Sequence, residues 1–221
     1  MSIEYLSAVQ KSVEYNKETQ LYLKKRVLVT IQNLIKTFFN RKIEKGEYIL
    51  DLGTADGTFV EVAKESGFKS SGLDIDQVDL ESQTINMKDE SCDLIVANSL
   101  IEHIQNPSNF LREVKRILKK KAFFVLITPD WKHNMKIFYD DPTHVRPYTK
   151  ESLEFLLDSY GFKKVKVVPW LVCKPLWMWK IPFSFLLARL IPFGGVKDNK
   201  NYLIPSFLKG KSKTLLAVCK K

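Results

Sequence analysis

The feature that most constrains the fold is residues 48–60, which read Y-I-L-D-L-G-T-A-D-G-T-F-V. A short apolar run leads into a turn that contains Gly53 and Gly57, and a helical pattern follows the turn. A second apolar run ends at Asp74 and Ile75, and Asp74 comes 21 residues after Gly53. Glycines in such a turn let the backbone approach a ligand, and an acid after the next strand can accept hydrogen bonds from ribose hydroxyls. The spacing therefore predicts a nucleoside site in a parallel α/β sheet.

The charges around the turn narrow the choice of ligand. Dinucleotide-binding turns place a diphosphate at a helix N-terminus. Here Asp51 and Asp56 flank the turn, and two carboxylates would repel a diphosphate but suit a cationic ligand with an α-amino group. The sequence D-L-G-x-x-D-G-x-F resembles motif I of the class I S-adenosylmethionine-dependent methyltransferases. Ala55 stands where many members have a second glycine.

The resemblance continues at residues 91–104, S-C-D-L-I-V-A-N-S-L-I-E-H-I, which are similar to that superfamily's fourth strand and the "LEH" segment after it. An uninterrupted apolar run fits a strand buried on both faces, and Asn98 and Ser99 follow it where open α/β sheets bind ligands. His103 is open to two interpretations, a packed structural histidine or a catalytic one. The resemblance implies S-adenosyl-L-methionine as the cofactor. The predicted cofactor-binding residues are Asp51, Gly53, Thr54, Ala55, Gly57, Asp74, Ile75, Asn98 and Ser99.

The alternation of strand and helix patterns predicts a single domain over residues 1–221 in the α/β class, with a Rossmann-like sheet. The resemblance implies seven strands, mostly parallel, with the last strand antiparallel. The predicted strands are 48–52, 70–75, 78–80, 92–97, 122–128, 163–172 and 213–219. Helices are predicted within 17–42, over 57–66, from Pro107 to the lysines at 119–121, and over 150–158. The domain divides into an N-terminal helical cap (1–45), a cofactor-binding core (46–128), an active-site loop (129–149) and an apolar and basic insert (174–211).

The loop 129–149 carries the best candidates for chemistry. Its D-P-T-H-V-R-P-Y segment resembles a methyltransferase-11/23-like subgroup associated with surface-glycan and lipid-linked sugar pathways. A sugar hydroxyl is a weak nucleophile, so His144 is predicted as a general base, Asp141 as the acid that fixes its tautomer, and Arg146 as a grip for a carboxylate or phosphate. A purely structural His-Arg-Tyr cluster is the competing interpretation. A metal site from Asp140, Asp141 and His144 is a further alternative that the sequence does not favour.

Residues 175–193 form an apolar, aromatic insert before the last predicted strand. Lys180, Arg189 and three prolines interrupt it, so it is too broken to span a membrane. Tryptophans beside lysines suit a membrane interface, while a lid or a dimer contact would use the same residues. We therefore expect peripheral contact of this insert with a membrane or a lipid substrate.

The net charge of +10 lies mainly at the two ends of the chain. A nearly neutral centre lacks the interleaved basic and aromatic residues of a nucleic-acid channel, which argues against a nucleic-acid partner. No signal-peptide pattern opens the chain, so we expect a cytoplasmic protein, in peripheral contact with the inner face of the membrane. The expected reaction is O-methylation of a small-molecule, sugar or lipid-linked glycan acceptor. The alternatives are methylation of a prenylated quinone or other lipid, and a non-catalytic, membrane-associated subunit.

Overall fold

A computed structural model describes residues 16–74, 78–170, 180–183, 186 and 214–221. The helices are α1 (Lys17–Phe39), α2 (Thr58–Glu65), α3 (Ser108–Ile117), α4 (Trp131–Asn134) and α5 (Lys150–Ser159), and short 3-10 turns cover Ile101–His103 and Phe138–Asp140. The strands are β1 (Tyr48–Leu52), β2 (Lys69–Leu73), β3 (Cys92–Asn98), β4 (Leu118–Pro129), β5 (Lys163–Trp170) and β6 (Thr214–Lys220).

The strands form one sheet in the order β2-β1-β3-β4-β6-β5. Strands β2, β1, β3 and β4 are parallel, and β6 is antiparallel to both β4 and β5. The prediction of a mostly parallel sheet with an antiparallel last strand is therefore confirmed. The chain leaves β1 toward β2 on one side and returns to β3 on the other. The carboxyl ends of β1 and β3 thus form the switch point at which open α/β sheets bind ligands.

The prediction of seven strands is wrong for the part of the chain that the structure describes, which contains six. The missing strand is 78–80, where the backbone turns instead of extending. The carboxylate of Asp79 accepts the N–H of Glu81 (3.0 Å) and its carbonyl accepts the N–H of Gln83 (2.7 Å). Aspartate readily bonds to nearby backbone in this way, which favours a turn over a strand.

Alternate residues of each inner strand enter two separate cores. Ile49 of β1 packs in a cluster with α1 and α2, whereas its neighbour Leu50 packs in a cluster with α3 and α5. Burial on both faces explains the apolar runs of β1, β3 and β4, because no face of the sheet is left to water. The result is three layers, helix–sheet–helix, that leave the strand ends open for a site.

The expected end of α3 is displaced. Lysines 119–121 were predicted to close this helix, but α3 ends at Ile117 and the lysines lie in β4. Lys119 donates to the carboxylate of Asp93 (2.7 Å), which also accepts the backbone N–H of Tyr48 (2.9 Å). The extended backbone of β4 therefore begins directly after the helix and includes residues that local preference assigns to a helix terminus.

Candidate functional site

Gly53 provides the close backbone approach that the sequence predicts. It has a φ of +77°, and its N–H donates to the carbonyl of Leu73 (2.8 Å), which ties the end of β1 to the end of β2. A Cβ atom at this position would lie 3.2 Å from Cδ1 of Leu100. Both the left-handed backbone and the crowding favour glycine here.

The rest of the turn is shaped by small residues. Thr54 packs against Gly72 of β2, where a Cβ atom would lie 2.5 Å from the Thr54 hydroxyl oxygen. Gly57 has a φ of +70° just before α2, and Ala55 has a φ of 50°. Ala55 thus adopts a left-handed conformation that glycine would adopt more easily, which is the physical reason for glycine at this position in related turns.

Three carboxylates surround the turn. Asp51 is buried at the end of β1, and this burial raises its pKa to about 6. This pKa of about 6 includes smaller upward contributions from the charges of Asp74 and Asp56 and a downward one from Lys24 of α1. Asp56 is held by the backbone N–H of Thr58 (2.9 Å) at the start of α2. The resulting negative potential suits a cationic ligand.

The other predicted cofactor residues follow the neighbouring strands. Asp74 comes directly after β2, and Asn98 is the last residue of β3. Ser99 is exposed, with a φ of 54° and its N–H bonded to the carbonyl of Ile127 (2.8 Å). Ile75 lies outside the described residues. All the predicted cofactor residues that the structure describes thus gather at the carboxyl ends of β1, β2 and β3, and their contacts with the cofactor stay predictions.

A second cluster lies at the carboxyl ends of β3 and β4, and Glu102 is its most buried member. Oε2 of Glu102 accepts the hydroxyl of Thr128 (2.9 Å), the next-to-last residue of β4. Within the part of the chain that the structure describes, Oε1 is buried without a hydrogen-bond partner. Burial raises the pKa of Glu102 to about 7. Its backbone carbonyl accepts the N–H groups of Val145 and Arg146, which fastens the loop 129–149 to this point.

Two histidines complete this cluster, and hydrogen bonds define their tautomers. The Thr143 hydroxyl lies 2.6 Å from Oδ1 of Asp141 and 2.8 Å from Nδ1 of His103. Because the ionised Asp141 can only accept, Thr143 donates to it and accepts Nδ1–H of His103. Nδ1 of His144 donates to the carbonyl of Phe138 (2.7 Å). In its neutral form each ring therefore has its lone pair on Nε2, and the two ring centroids lie 4.8 Å apart.

The structure brings together two of the three predicted catalytic residues. Nε2 of His144 lies 3.8 Å from Oδ2 of Asp141. Burial acts to raise the pKa of Asp141, but the hydrogen bonds from Thr143 and the neighbouring histidines outweigh it, so the pKa lies below its usual range. Arg146 is instead exposed and donates to the carbonyl of Gln105 (3.1 Å), at the rim of the cluster.

The alternative metal set of Asp140, Asp141 and His144 is not assembled. Asp140 is exposed, and Oδ1 of Asp141 is occupied by Thr143. Of the described residues, the group whose ligand atoms converge is Glu102, His103 and His144. The sequence analysis did not select Glu102. A signal was present, because the acid stands next to His103 in an otherwise apolar I-E-H-I segment.

The loop 129–149 presents apolar side chains to solvent. Met135, Ile137 and Tyr139 are 57%, 48% and 57% exposed, while Phe138 between them is buried and its ring centroid lies 4.5 Å from that of His144. These three exposed residues are called the loop patch below.

The predicted membrane insert is described only in part. Ile181, Phe183 and Leu186 are exposed, and the carbonyl of Ile181 accepts a hydrogen bond from Asn33 of α1 (3.2 Å). The two tryptophans of the insert, Trp177 and Trp179, lie outside the described residues. No helix in the described ranges is both long and apolar enough to cross a membrane.

Comparison with known proteins agrees with the fold. The family model described as "Methyltransferase domain" matches residues 22–167. An uncharacterized protein of Methanocaldococcus jannaschii is 28% identical in an alignment 145 residues long; the match covers 57% of this chain and 69% of the relative.

Solved structures show the same fold at low sequence identity. A SAM-dependent methyltransferase from Archaeoglobus fulgidus is 23% identical, with a TM-score of 0.55 over 89% of this chain and 94% of that one. Phosphoethanolamine N-methyltransferase 2 of Haemonchus contortus, in complex with S-adenosyl-L-methionine, is 16% identical, with a TM-score of 0.54 over 86% of this chain and 52% of that one. The chain belongs to the methyltransferase-domain family and is an S-adenosylmethionine-dependent methyltransferase.

Proposed function

We propose that this enzyme transfers the methyl group of S-adenosylmethionine to a hydroxyl of a sugar on a lipid-linked glycan. The observation that carries the proposal is the pair of imidazoles, His103 and His144, whose Nδ1–H groups are bonded and whose Nε2 atoms remain available. This pair of histidines lies at the same edge of the sheet as the Gly53 turn. Leu100, which packs against Gly53, precedes Glu102 and His103 by only two and three residues.

Transfer to a hydroxyl requires removal of one proton. Bound S-adenosylmethionine would supply the methyl group from its sulfonium, and the S–C bond would break to leave a neutral thioether as the acceptor oxygen takes the methyl group. The O–H proton passes to Nε2 of His144. Asp141, ionised and 3.8 Å away, then stabilises the imidazolium. Burial and the charge of His144 lower the pKa of His103, so His103 stays neutral beside a charged His144.

The loop patch supports an acceptor with a lipid part. Phe138 links the patch to the site, because it stacks on His144 while its neighbours Ile137 and Tyr139 face solvent. Exposed apolar side chains next to a polar site suit a molecule with an apolar tail and a polar head. The same patch favours a prenylated quinone as the second candidate acceptor. In both cases we propose that the patch and the exposed residues of the insert contact a membrane surface.

The test is transfer of labelled methyl groups from S-adenosylmethionine to fractionated cell lipids and glycans, followed by identification of the methylated atom. We expect a methyl ether in the lipid-linked glycan fraction. A methylated quinone would select the second candidate, and an N-methyl or C-methyl product would overturn O-methylation.

Replacement of His144 tests the proton step. His144→Asn keeps a side-chain donor for the Phe138 carbonyl but removes the base, so turnover should fall by about 10²-fold or more with little change in cofactor affinity. The matched control is His133→Asn, because His133 is the remaining histidine and its Nε2 lies 3.7 Å from Oδ2 of Asp130, a residue outside the Glu102 cluster. Equal turnover in the two variants would contradict a role for His144.

A further inference from the structure

We propose that Glu102, His103 and His144 bind a divalent transition-metal ion that holds the acceptor hydroxyl. The inference rests on the proposed O-methylation for the role of the ion, but the site itself follows from the side chains. The sequence favoured no metal, and its alternative set used two aspartates, of which Asp140 is exposed and Asp141 is bonded to Thr143.

The first argument is convergence. One potential ligand atom of each residue lies within 4.8 Å of the other two. Ligand atoms about 2.0–2.2 Å from a zinc-like ion lie roughly 3–3.5 Å from one another. Side-chain movements of about 1 Å would therefore close the three atoms around an ion.

The second argument is the unpaired oxygen of Glu102. Oε2 is bonded to Thr128, whereas Oε1 is buried and has no partner among the residues that the structure describes. Buried polar atoms without partners are rare because each carries a desolvation cost. A cation beside Oε1 removes that cost.

The third argument is the support of the two histidines. Nδ1–H of His103 is bonded to Thr143, and Nδ1–H of His144 is bonded to the Phe138 carbonyl. Histidines that bind metals almost always donate their second ring N–H to such a partner, which fixes the ring and directs the other nitrogen to the ion. Here both rings have such a hydrogen bond at Nδ1, and Asp141 in turn accepts a hydrogen bond from the Thr143 hydroxyl and holds it in place.

The ligand set indicates the class of ion and its use. Two imidazoles and one carboxylate suit Zn²⁺, Fe²⁺, Co²⁺ or Mn²⁺ better than Ca²⁺ or Mg²⁺. Three protein ligands leave coordination positions open for the acceptor hydroxyl. A bound hydroxyl has a lowered pKa, so it releases its proton to water before it attacks the methyl group, and the ion is not oxidised or reduced. In this form of the reaction His144 is a ligand instead of the proton acceptor.

Tyr148 offers a competing explanation for Glu102. Its hydroxyl is also buried without a partner within the described residues, and the charge of Glu102 acts on it. A hydrogen bond from Tyr148 to Oε1 would satisfy both groups without a metal. Tyr148→Phe separates the two explanations, because the metal site does not need the hydroxyl.

The experiment is titration of the chelator-treated, full-length protein with Zn²⁺ by calorimetry and with Co²⁺ by visible absorption. We expect one tight site per chain and a Co²⁺ spectrum typical of nitrogen and oxygen ligands. Glu102→Gln, His103→Asn and His144→Asn should each weaken binding by 100-fold or more, and Thr143→Val by about 10–100-fold. Circular dichroism and S-adenosylmethionine affinity verify that each variant is folded.

His133→Asn and Tyr148→Phe are the controls, and both should bind the ion within threefold of the wild type. Binding weaker than about 1 mM in the wild type, or equal losses in His133→Asn, would overturn the metal site. If chelator leaves O-methylation intact while His144→Asn abolishes it, the metal site is wrong and the general base stands. If the ion binds at these ligands but no hydroxyl is methylated, the site stands and the proposed function fails.

Discussion

At the scale of single residues, stability and function oppose each other at Asp51. Its carboxylate is buried beside two other acids, which raises its pKa to about 6. An ordinary aspartate has a pKa of about 3.9, so the folded protein binds a proton at Asp51 more tightly than the unfolded chain does. Ionised Asp51 therefore destabilises the cofactor-free fold near neutral pH. The charge that costs stability is the one that a cationic cofactor would neutralise.

Asp51→Asn should reveal this cost as a change in pH dependence. Since the native pKa is raised, wild-type stability falls relative to the variant as pH rises from about 4 to 6, and then levels off. A shift of about 2 pKa units corresponds to at most about 3 kcal/mol, and each kcal/mol changes Tm by about 2–4 °C at this chain length. Melting temperatures of both proteins without cofactor, measured from pH 4.5 to 8, test this expectation. A difference in Tm that does not change with pH would contradict the raised pKa.

At the scale of elements, the loop 129–149 combines an anchored interior with an exposed apolar surface. Backbone bonds from Val145 and Arg146 to the carbonyl of Glu102 attach the loop next to the site. Thr149 then begins α5 with a capping box in which Ser152 completes the reciprocal hydrogen bonds. The exposed residues of the loop patch therefore belong to a loop whose C-terminal end is held by hydrogen bonds.

Replacing the patch residues together, Met135→Ser, Ile137→Ser and Tyr139→Ser, should weaken binding of a lipid-linked acceptor. Burial of one large apolar side chain contributes about 1.5–3 kcal/mol, so KM should rise by tenfold or more while cofactor affinity stays unchanged. KM for a water-soluble acceptor without the lipid should not change. Kinetic measurements with both acceptors make the comparison.

Phe155→Ser is the matched control, because Phe155 is the most exposed large apolar residue that the structure describes and lies on α5. An equal rise in KM in this control, or no rise in the triple variant, would show that the loop patch does not contact the lipid.

At the scale of the whole molecule, the strand order brings distant segments to one edge. The Gly53 turn follows β1, Glu102 follows β3, Thr128 lies next to the end of β4 and His144 comes from the loop after it. Because β1, β3 and β4 are adjacent and parallel, their carboxyl ends meet. The cofactor turn and the Glu102 cluster are thus neighbours in space although they lie about 50 residues apart in the chain.

Cofactor binding should stabilise the whole domain. A ligand at 100 times its Kd adds about 2.7 kcal/mol, which predicts a rise in Tm of roughly 5–10 °C with S-adenosylmethionine. Loss of ribose contacts in Asp74→Ala should weaken binding by at least tenfold. The rise in Tm at the same concentration should then be about 3–5 °C smaller. Thermal melts with and without cofactor measure both values, and an unchanged shift in the variant would contradict the ribose contact.

Short-range patterns in the sequence were sufficient for much of the fold. The apolar runs of β1 and β3, the glycine turn and the helix predicted over 150–158 depend on residues close together in the chain, so they could be predicted. The cofactor residues were predictable for the same reason, since each lies at or just after a strand end. The N-terminal helix, predicted within residues 17–42, could be predicted in the same way.

Only the tertiary structure decided the features that depend on contacts between distant segments. The strand predicted at 78–80 became a turn, because hydrogen bonds at Asp79 outweighed its weak strand pattern. The lysines at 119–121 lie in β4 instead of the helix, at a shift in register between the pairs Cys92–Leu118 and Leu94–Phe123, and Lys119 is held there by Asp93 of β3. Glu102 lies near His144 because the loop after β4 contacts the segment that follows β3. The contacting residues are about 40 positions apart in the chain, so no local pattern predicts the contact. The sequence by itself therefore determined the cofactor turn, whereas the chemistry of the second cluster emerged only from the packing of the strand ends.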